Sequence, residues 1–272
     1  MDINFSYGFY DTRGQLYQIS ANLNTNPEYY KQIKNVLNIK RPKDLKLVRV
    51  GLQNRDGGYV MSNCFKENGI AYSFGICNDV SWDTVMAELG YNIYMYDHTI
   101  NSLPYTRKEF HFFKEGISGK NEEKIPLKTL EYYINKNGHE NNENMILKMD
   151  VEGAEWEFLD TVKTKTLEQF DQIVFEYHKI VQAGFGDKVL KLLKKINKTH
   201  QLIHLHGNNS GFLVKIGDTV FPDVLEATYV KRGICEFTDD ECIKLPINLD
   251  APNDIGRPDV ILGEWNKPLI ID

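Results

Sequence analysis

The sequence is poor in cysteine and contains no CxxC pair. Its 272 residues include four cysteines, Cys64, Cys77, Cys235 and Cys242. Such isolated cysteines are typical of reduced thiols. We therefore expect a cytoplasmic protein.

Long apolar runs and an excess of basic residues are also lacking. No apolar run approaches the roughly 18–20 residues that a membrane span needs, and the first six residues do not resemble a signal peptide. The chain carries 32 Lys and Arg against 38 Asp and Glu, a formal net charge of −6. This balance argues against a protein that coats nucleic acid. We expect neither a membrane span nor a nucleic-acid partner.

Strands and helices alternate along the middle of the chain. Strand patterns lie at 70–76, 92–97, 110–113, 145–150, 172–178, 202–206 and 227–230. Helical patterns lie at 81–90, 128–136, 155–162 and 188–196. Such alternation predicts an α/β fold whose mostly parallel sheet is covered by helices on both faces. The last two strands are candidates for an antiparallel pair at the sheet edge.

Three segments are predicted from these patterns. Residues 1–65 form an N-terminal extension: an irregular arm over 1–25, a helix that starts at Asn26 and Pro27, and a hairpin around Asp56-Gly57-Gly58. Residues 66–244 form the main domain. Residues 245–272 contain four prolines and form an extended tail on the surface.

Polar residues stand where the predicted strands end. Gly75, Asp97, Asp150, Glu176 and His178 end four of the strands. The carboxyl ends of parallel strands meet at one edge of a sheet, and ligands of open α/β sheets bind there. The sequence therefore predicts a pocket at this edge.

The pair Gly75 and Asp97 indicates the class of ligand. They lie 22 residues apart across one strand-helix-strand unit, as in sites where a tight turn precedes an acid that binds ribose. The loop after the first strand has a single glycine rather than GxGxxG, which disfavours a pyrophosphate and hence an NAD oxidoreductase. S-adenosylmethionine fits better, because it has ribose and adenine but no pyrophosphate, and acids and aromatic faces suit its cationic sulfonium.

Several segments resemble the FkbM-type methyltransferases. The clearest is Lys148-Met149-Asp150-Val151-Glu152-Gly153-Ala154-Glu155-Trp156-Glu157, and shorter likenesses are found at 72–81, 96–99, 56–59 and 206–209. The resemblance covers about residues 50–235. It implies a class I methyltransferase fold, a Rossmann-like seven-stranded sheet with the last strand antiparallel. It also implies methylation by S-adenosylmethionine, mostly of hydroxyl groups on sugars, glycans and secondary metabolites.

The resemblance also implies roles for individual residues. Gly75 and Asp79 belong to the first cofactor motif, Asp97 and His98 to the second, and Gly116 to the loop that contacts adenine. Asp150 faces the methionine part or the acceptor. Asn208 and the preceding His206 are expected at the pocket rim as substrate-binding residues.

Catalysis needs a group that accepts the acceptor's proton. His178 is our candidate, because an unperturbed imidazole pKa near 6.5 suits a general base at neutral pH. Glu176 and Asp150 stand close by as the other catalytic candidates. We expect no bound metal. The alternative is Mg²⁺ held by Asp150 and Glu176.

The sequence thus predicts a cytoplasmic S-adenosylmethionine-dependent O-methyltransferase. Its acceptor is a small molecule or carbohydrate, namely a sugar or sugar-containing intermediate of a capsule, glycan or secondary metabolite. The alternatives are an N-methyltransferase of a small metabolite and a non-catalytic nucleotide-binding protein. A homodimer is one option for its assembly.

Overall fold

The computed structural model describes residues 6–10, 16–20, 23–122, 126–184, 186–217, 219–239 and 243–270. The strands are β1 (Ser6–Tyr10), β2 (Leu16–Ser20), β3 (Leu47–Gly51), β4 (Gly58–Ser62), β5 (Ile70–Phe74), β6 (Asn92–Tyr96), β7 (Phe110–Phe113), β8 (Gly116–Ile117), β9 (Leu127–Lys128), β10 (Met145–Met149), β11 (Phe170–Tyr177), β12 (His200–Gly207), β13 (Leu213–Ile216), β14 (Thr219–Pro222), β15 (Leu225–Lys231), β16 (Lys244–Leu245) and β17 (Gly263–Glu264). The helices are α1 (Pro27–Val36), α2 (Ser81–Glu88), α3 (Leu130–Lys136), α4 (Glu155–Thr161), α5 (Thr164–Leu167) and α6 (Gly186–Ile196).

The central sheet has seven strands in the order β12-β15-β11-β10-β5-β6-β7. The pairs from β11 through β10, β5 and β6 to β7 are parallel, whereas β15 is antiparallel to both β11 and β12. This confirms the class I methyltransferase sheet with its last strand antiparallel. The chain proceeds from β5 towards β7 and then returns to β10 on the other side of β5. The carboxyl ends of β5 and β10 therefore flank the point where strand order reverses, which is where such sheets bind ligands.

Alternating side chains of the strands belong to two apolar layers, one on each face of the sheet. On one face, α2 and the hairpin of β3 and β4 pack on the sheet through Trp82, Met86 and Tyr59. On the other face, helices α1, α3, α4 and α6 cover aromatic residues such as Tyr72 and Phe74. Both faces of the sheet are thus covered, as the strand and helix alternation predicts.

The helix and hairpin of the N-terminal extension form where the sequence predicts them. The Asn26 side chain accepts a hydrogen bond from the Glu28 amide at 3.0 Å, and Pro27 opens α1. The hairpin is attached to the sheet by Gln172, whose amide group exchanges two 2.9 Å hydrogen bonds with the Ser62 backbone. These bonds place the turn of the hairpin, with Asp56 and Gly57, beside the carboxyl ends of the sheet.

Two expectations about the ends of the chain are wrong. The segment 1–25 is not an irregular arm throughout, because β1 pairs with β2 and this pair joins β13 and β14 in a four-stranded sheet. Residues 1–5, 11–15 and 21–22 lie outside the described part. The tail does not merely cover the surface, since Trp265 is fully buried and its indole N–H donates to the Leu37 carbonyl at 3.0 Å.

None of the described helices is both long enough and apolar enough to cross a membrane.

Candidate active site

A cavity of about 700 Å³ opens at the carboxyl ends of the central strands. Nine of the ten predicted site residues line it: Gly75, Asp79, Asp97, His98, Gly116, Asp150, Glu176, His178 and Asn208. The residues at the strand ends thus lie in one cavity at one edge of the sheet, as the sequence predicts. This position alone assigns none of them a function.

Gly75 forms the turn at the centre of this edge. Its φ is +77°, and a Cβ atom here would lie 1.5 Å from the carbonyl oxygen of Asp150. Its amide donates to the Tyr96 carbonyl at 3.1 Å. Only glycine combines that φ with so close an approach, so this residue lets the ends of three neighbouring strands meet.

Asp97 holds the loop that follows β5. One carboxylate oxygen accepts from the amides of Ile76 and Cys77 at 2.9 and 2.8 Å, and the other accepts from the amide and hydroxyl of Thr99. Burial alone would raise the Asp97 pKa, but these hydrogen bonds bring it below its ordinary value. The carboxylate is therefore charged and fixed in orientation at the cavity wall.

The loops on either side of Asp97 complete this end of the cavity. Asp79 accepts from the Ser81 amide at 2.6 Å at the start of α2. A Cβ atom at Gly116 would lie 2.5 Å from Nδ1 of His98. The absence of a side chain at Gly116 thus leaves room for the His98 ring at the cavity wall.

Asp150, Glu176 and Tyr59 meet on the other side of Gly75. The Tyr59 hydroxyl lies 3.4 Å from a carboxylate oxygen of each acid, and the Asn208 amide donates to Glu176 at 2.9 Å. Burial raises the pKa of both acids, that of Glu176 strongly. The charges of Asp150 and Glu226 raise the Glu176 pKa further, whereas the charges of Lys148 and His178 oppose the rise at Asp150. Tyr59 was not among the predicted site residues, because only the folded hairpin brings it to this edge.

His178 lies among three carboxylates. Its Nδ1 is 3.1 Å from Glu155, and its Nε2 is 3.4 Å from Glu152 and 3.6 Å from Glu176. Burial would lower the His178 pKa, but the hydrogen bond and charge of Glu155 and the other acids raise it to about 9. The expectation of a pKa near 6.5 is wrong, because the sequence does not show which acids surround the ring.

Glu155 is a partner of His178 to which the sequence analysis assigned no role. The same oxygen that faces His178 accepts the Val151 amide at 2.9 Å, and the side chain is fully buried. Trp156 also reaches this histidine, since its indole N–H donates to the His178 carbonyl at 2.7 Å. The start of α4 therefore fixes the position of His178.

Lys148 and Asp83 are two further charged residues of the cavity that the sequence analysis did not single out. Lys148 is buried on β10, and its ammonium donates to the Gly75 carbonyl at 2.8 Å. Asp83 is buried in the first turn of α2, and its pKa is raised to about 6 chiefly by burial. The sequence signal for Lys148 was a lysine within the otherwise apolar strand Met145–Met149. Asp83 gave no such signal, because an acid in the first turn of a helix is common.

Carboxylates predominate in the cavity wall. The lining includes eight acids, set against Lys148, His98 and His178. Two groups bring ligand atoms within 4.8 Å of one another, namely Asp150 with Glu152 and His178, and Asp56 with Glu176 and Glu226. With its pKa near 9, His178 would first have to lose a proton to bind a metal. The arrangement suits a cationic ligand.

His206 is the predicted site residue that does not line the cavity. It is buried behind Asn208, with Nδ1 3.1 Å from Glu226 and Nε2 2.9 Å from Asp259 in the C-terminal segment. The expected place at the pocket rim is therefore wrong. Residues two apart on a strand lie on the same face of the sheet. His206 belongs to the face of β12 that contacts the tail rather than the cavity.

One comparison with known proteins matches most of the chain. The family model described as the methyltransferase FkbM domain matches residues 3–208. Among solved structures, a candidate rRNA methylase from Clostridium thermocellum is 12% identical with a TM-score of 0.34, covering 61% of this chain and 89% of its own. A candidate RNA methyltransferase from Pyrococcus horikoshii is 13% identical with a TM-score of 0.28, covering 61% and 75%. A candidate hemolysin from Streptococcus thermophilus is 11% identical with a TM-score of 0.33, covering 80% and 72%.

Likenesses this distant carry no argument about the acceptor. Among curated proteins no match was found. The family model, which spans most of the chain, is therefore the comparison that bears on identity.

Proposed function

The chain belongs to the FkbM methyltransferase family, and on that premise we propose that it methylates a hydroxyl group of a sugar or sugar-containing acceptor. The methyl donor of such an enzyme is S-adenosylmethionine. The observation that carries the proposal is the cavity itself. At the switch point of the sheet, the Gly75 turn and Asp97 stand beside a group of acids that includes Glu176 and His178.

The adenosine end of the donor is proposed to lie along β6 and β7. Asp97 offers a charged carboxylate to the ribose hydroxyls, and His98 and Gly116 line the adjoining space for adenine. Asp79 lies at the start of α2, against Gly57 of the hairpin turn. The absence of a Gly-rich loop after β5 supports a ligand without pyrophosphate.

The acceptor end is proposed to lie beside Asp150, Glu176 and His178. Bound S-adenosylmethionine supplies an electrophilic methyl group, to which the acceptor oxygen bonds as the carbon–sulfur bond breaks. The protein's part is to align the acceptor and to take its proton. His178 and Glu176 form the pair that accepts this proton, and Asn208 orients Glu176 through the bond at 2.9 Å.

The carboxylates at this end also determine which acceptors suit the site. Asp56, Asp150, Glu152 and Glu176 oppose a phosphate or carboxylate on the acceptor. A neutral sugar hydroxyl satisfies this condition. An amine does too, and the same acidic wall is the observation that favours N-methylation of a small metabolite as the second candidate function.

Calorimetry tests the donor assignment. The protein should bind S-adenosylmethionine and S-adenosylhomocysteine, and it should not bind NAD. Asp97→Ala should weaken binding of both about tenfold to a hundredfold, since hydrogen bonds to charged groups contribute roughly 1.5–3 kcal/mol. Binding of NAD alone would contradict the proposal. Thermal unfolding of the variant separates loss of a ligand contact from loss of the 76–77 loop that Asp97 holds.

Transfer of a labelled methyl group to neutral, amino and phosphorylated sugars tests the acceptor. Methylation of neutral sugars on oxygen supports the main proposal, and methylation of nitrogen supports the second candidate. Preference for phosphorylated acceptors would contradict both. The same assay with EDTA decides on the Mg²⁺ alternative, since catalysis by His178 and Glu176 without a metal should survive chelation.

A further inference from the structure

We propose that Asp56, in the turn between β3 and β4, binds a hydroxyl group of the acceptor next to the one that is methylated. The acceptor is then a vicinal diol, as in a sugar ring, and Asp56 selects which of its hydroxyls receives the methyl group. The inference rests on the proposed function, because it concerns the acceptor end of the same cavity. It gives a binding role to a residue that the sequence analysis named only as part of the hairpin turn.

Asp56 lines the cavity with one carboxylate oxygen engaged and the other available. Its Oδ1 accepts from the Gly57 amide at 2.8 Å and from the side-chain amide of Asn253 at 2.9 Å. Its Oδ2 forms no hydrogen bond with any residue that the structure describes. Both oxygens of a carboxylate accept hydrogen bonds. The Oδ2 atom of Asp56 therefore keeps its capacity to accept a hydroxyl of a ligand.

The loop that carries Asp56 is held in place by hydrogen bonds. Arg49, on β3, donates to two backbone carbonyls of this loop at 2.6 and 2.9 Å. On the other side, the Ser81 hydroxyl donates to the Gly57 carbonyl at 2.8 Å. Asp56 is thus exposed to the cavity but borne by a fixed loop. A ligand that binds to it loses little affinity to the ordering of the chain.

Asp56 stands beside the acid that accepts the proton in the proposed function. One of its carboxylate oxygens lies within 4.8 Å of one of Glu176. A hydroxyl donates to an oxygen over about 2.7 Å, so each of these acceptors can bind its own hydroxyl when two hydroxyls stand on adjacent carbons. The hydroxyl that faces Glu176 and His178 gives up its proton as it is methylated. Its neighbour keeps its proton and donates it to Asp56.

The chemistry of Asp56 determines which neighbouring groups the site accepts. A hydroxyl donates its hydrogen to the carboxylate, whereas an O-methyl ether has no hydrogen to donate. A phosphate or carboxylate on the adjacent carbon is repelled by the charge of Asp56. Sugars that already carry a methyl or phosphate group on the adjacent oxygen are therefore poor acceptors, and one hydroxyl of each adjacent pair is methylated.

Deoxy sugars and an Asp56 variant together provide the test. The probe is the neutral sugar that is methylated fastest in the transfer assay, compared with its monodeoxy analogues. In the unaltered protein, loss of the hydroxyl adjacent to the methylated one should lower kcat/KM about tenfold to a hundredfold. In Asp56→Ala the two sugars should react equally, because the partner of that hydroxyl is gone. Asp44→Ala is the matched control, since Asp44 is an exposed acid outside the cavity lining, and it should keep the full preference.

Asp56→Asn separates binding from the structure of the turn. It retains an oxygen for the amides of Gly57 and Asn253 but removes the charge, so the preference for the diol should fall about fivefold while the Kd for S-adenosylhomocysteine stays within about twofold. A preference that persists in Asp56→Ala, or an adjacent hydroxyl whose removal changes nothing in the unaltered protein, would overturn the assignment. If no neutral sugar is methylated at all, it is the proposed function that fails, and the two failures are thereby distinguished.

Discussion

His178 shows how far one residue's chemistry depends on side chains that the sequence does not place beside it. Its contact with Glu155 at 3.1 Å and the nearby Glu176 and Glu152 hold a proton on the ring up to a pKa of about 9. A base with such a pKa is mostly protonated at neutral pH. We therefore expect kcat/KM of the free enzyme to rise with pH towards about 9, rather than to level off above 6.5.

Glu155→Gln tests the origin of this pKa. Loss of the carboxylate removes the strongest raising influence, so the acidic limb of the kcat/KM profile should move down by about one to two pH units. Glu157→Gln is the matched control, because Glu157 lies on the same helical turn and lines the cavity. An unmoved limb in Glu155→Gln would mean that Glu176, and not His178, is the titrating base.

Replacing the ring itself tests its role in the transfer step. His178→Ala should lower kcat by about 10²–10⁴-fold, the usual contribution of a general base, with the Kd for S-adenosylhomocysteine nearly unchanged. Single-turnover methyl transfer measures this rate separately from product release. Full activity in His178→Ala would assign the proton to Glu176 and Asp150.

Asp83 should make the ligand-free protein less stable at neutral pH. Its folded-state pKa of about 6 lies above the ordinary value of 3.8, so the folded state binds the proton more tightly. The free energy of unfolding contributed by this group therefore falls as the pH rises from about 4 through 6. Asp83→Asn should raise the stability by about 1–3 kcal/mol at pH 7.5, and urea unfolding should show this gain shrinking at pH 4.5. A gain that is the same at both pH values would contradict the ionisation argument.

At the scale of elements, the C-terminal segment is attached directly to the loop that bears Asn208. The neighbouring Asn209 donates to the carbonyls of Asp254, Arg257 and Pro258 at 2.9–3.2 Å and accepts from the Asp254 amide. Asn253 in turn donates to Asp56 and Glu226. The tail therefore connects the hairpin turn, β15 and the loop after β12, all around the acceptor end of the cavity.

Asn209→Ala should loosen this connection. Since Asn208 orients Glu176, we expect the acceptor KM to rise about tenfold while the Kd for S-adenosylhomocysteine stays within about twofold, each lost hydrogen bond contributing roughly 0.5–1.5 kcal/mol. Asn197→Ala is the control, because Asn197 also donates to a carbonyl, that of Val36, but lies away from the cavity. Equal changes in both ligands' affinities would indicate general destabilisation instead.

The elements that sequence could predict are those whose pattern is local. Alternation and helical spacing identify β5 to β7, β10, β11 and the helices between them, and the strand ends then locate Asp97, Asp150 and Glu176. The pairing of β1 and β2 with β13 and β14 joins residues about 200 positions apart, and no local pattern encodes such a partnership. Glu155, Tyr59 and Asp83 were missed for the same reason, since each reaches the cavity only through tertiary packing.

For the whole molecule, the antiparallel strand β15 holds two other strands together. It lies between β11 and β12 and pairs with both, although it follows them in the chain. The family match ends at residue 208, before β15 begins at Leu225. A chain cut at residue 208 should therefore fail to unfold cooperatively in urea, whereas a cooperative transition in that fragment would show that the sheet forms without its inserted strand.

Because β15 is synthesised after the two strands that it joins, one edge of β11 stays unpaired for a time during synthesis on the ribosome. Strand β11 is complete at Tyr177, but the strand that covers its free edge ends at Lys231. At ordinary elongation rates about fifty residues take roughly 3–10 s to make. Throughout that interval the nascent chain presents the unpaired edge of an eight-residue strand to other nascent chains, the kind of edge that promotes aggregation. Slower translation of residues 178–231 should thus lower the soluble yield, with no change in the stability of the molecules that complete the sheet.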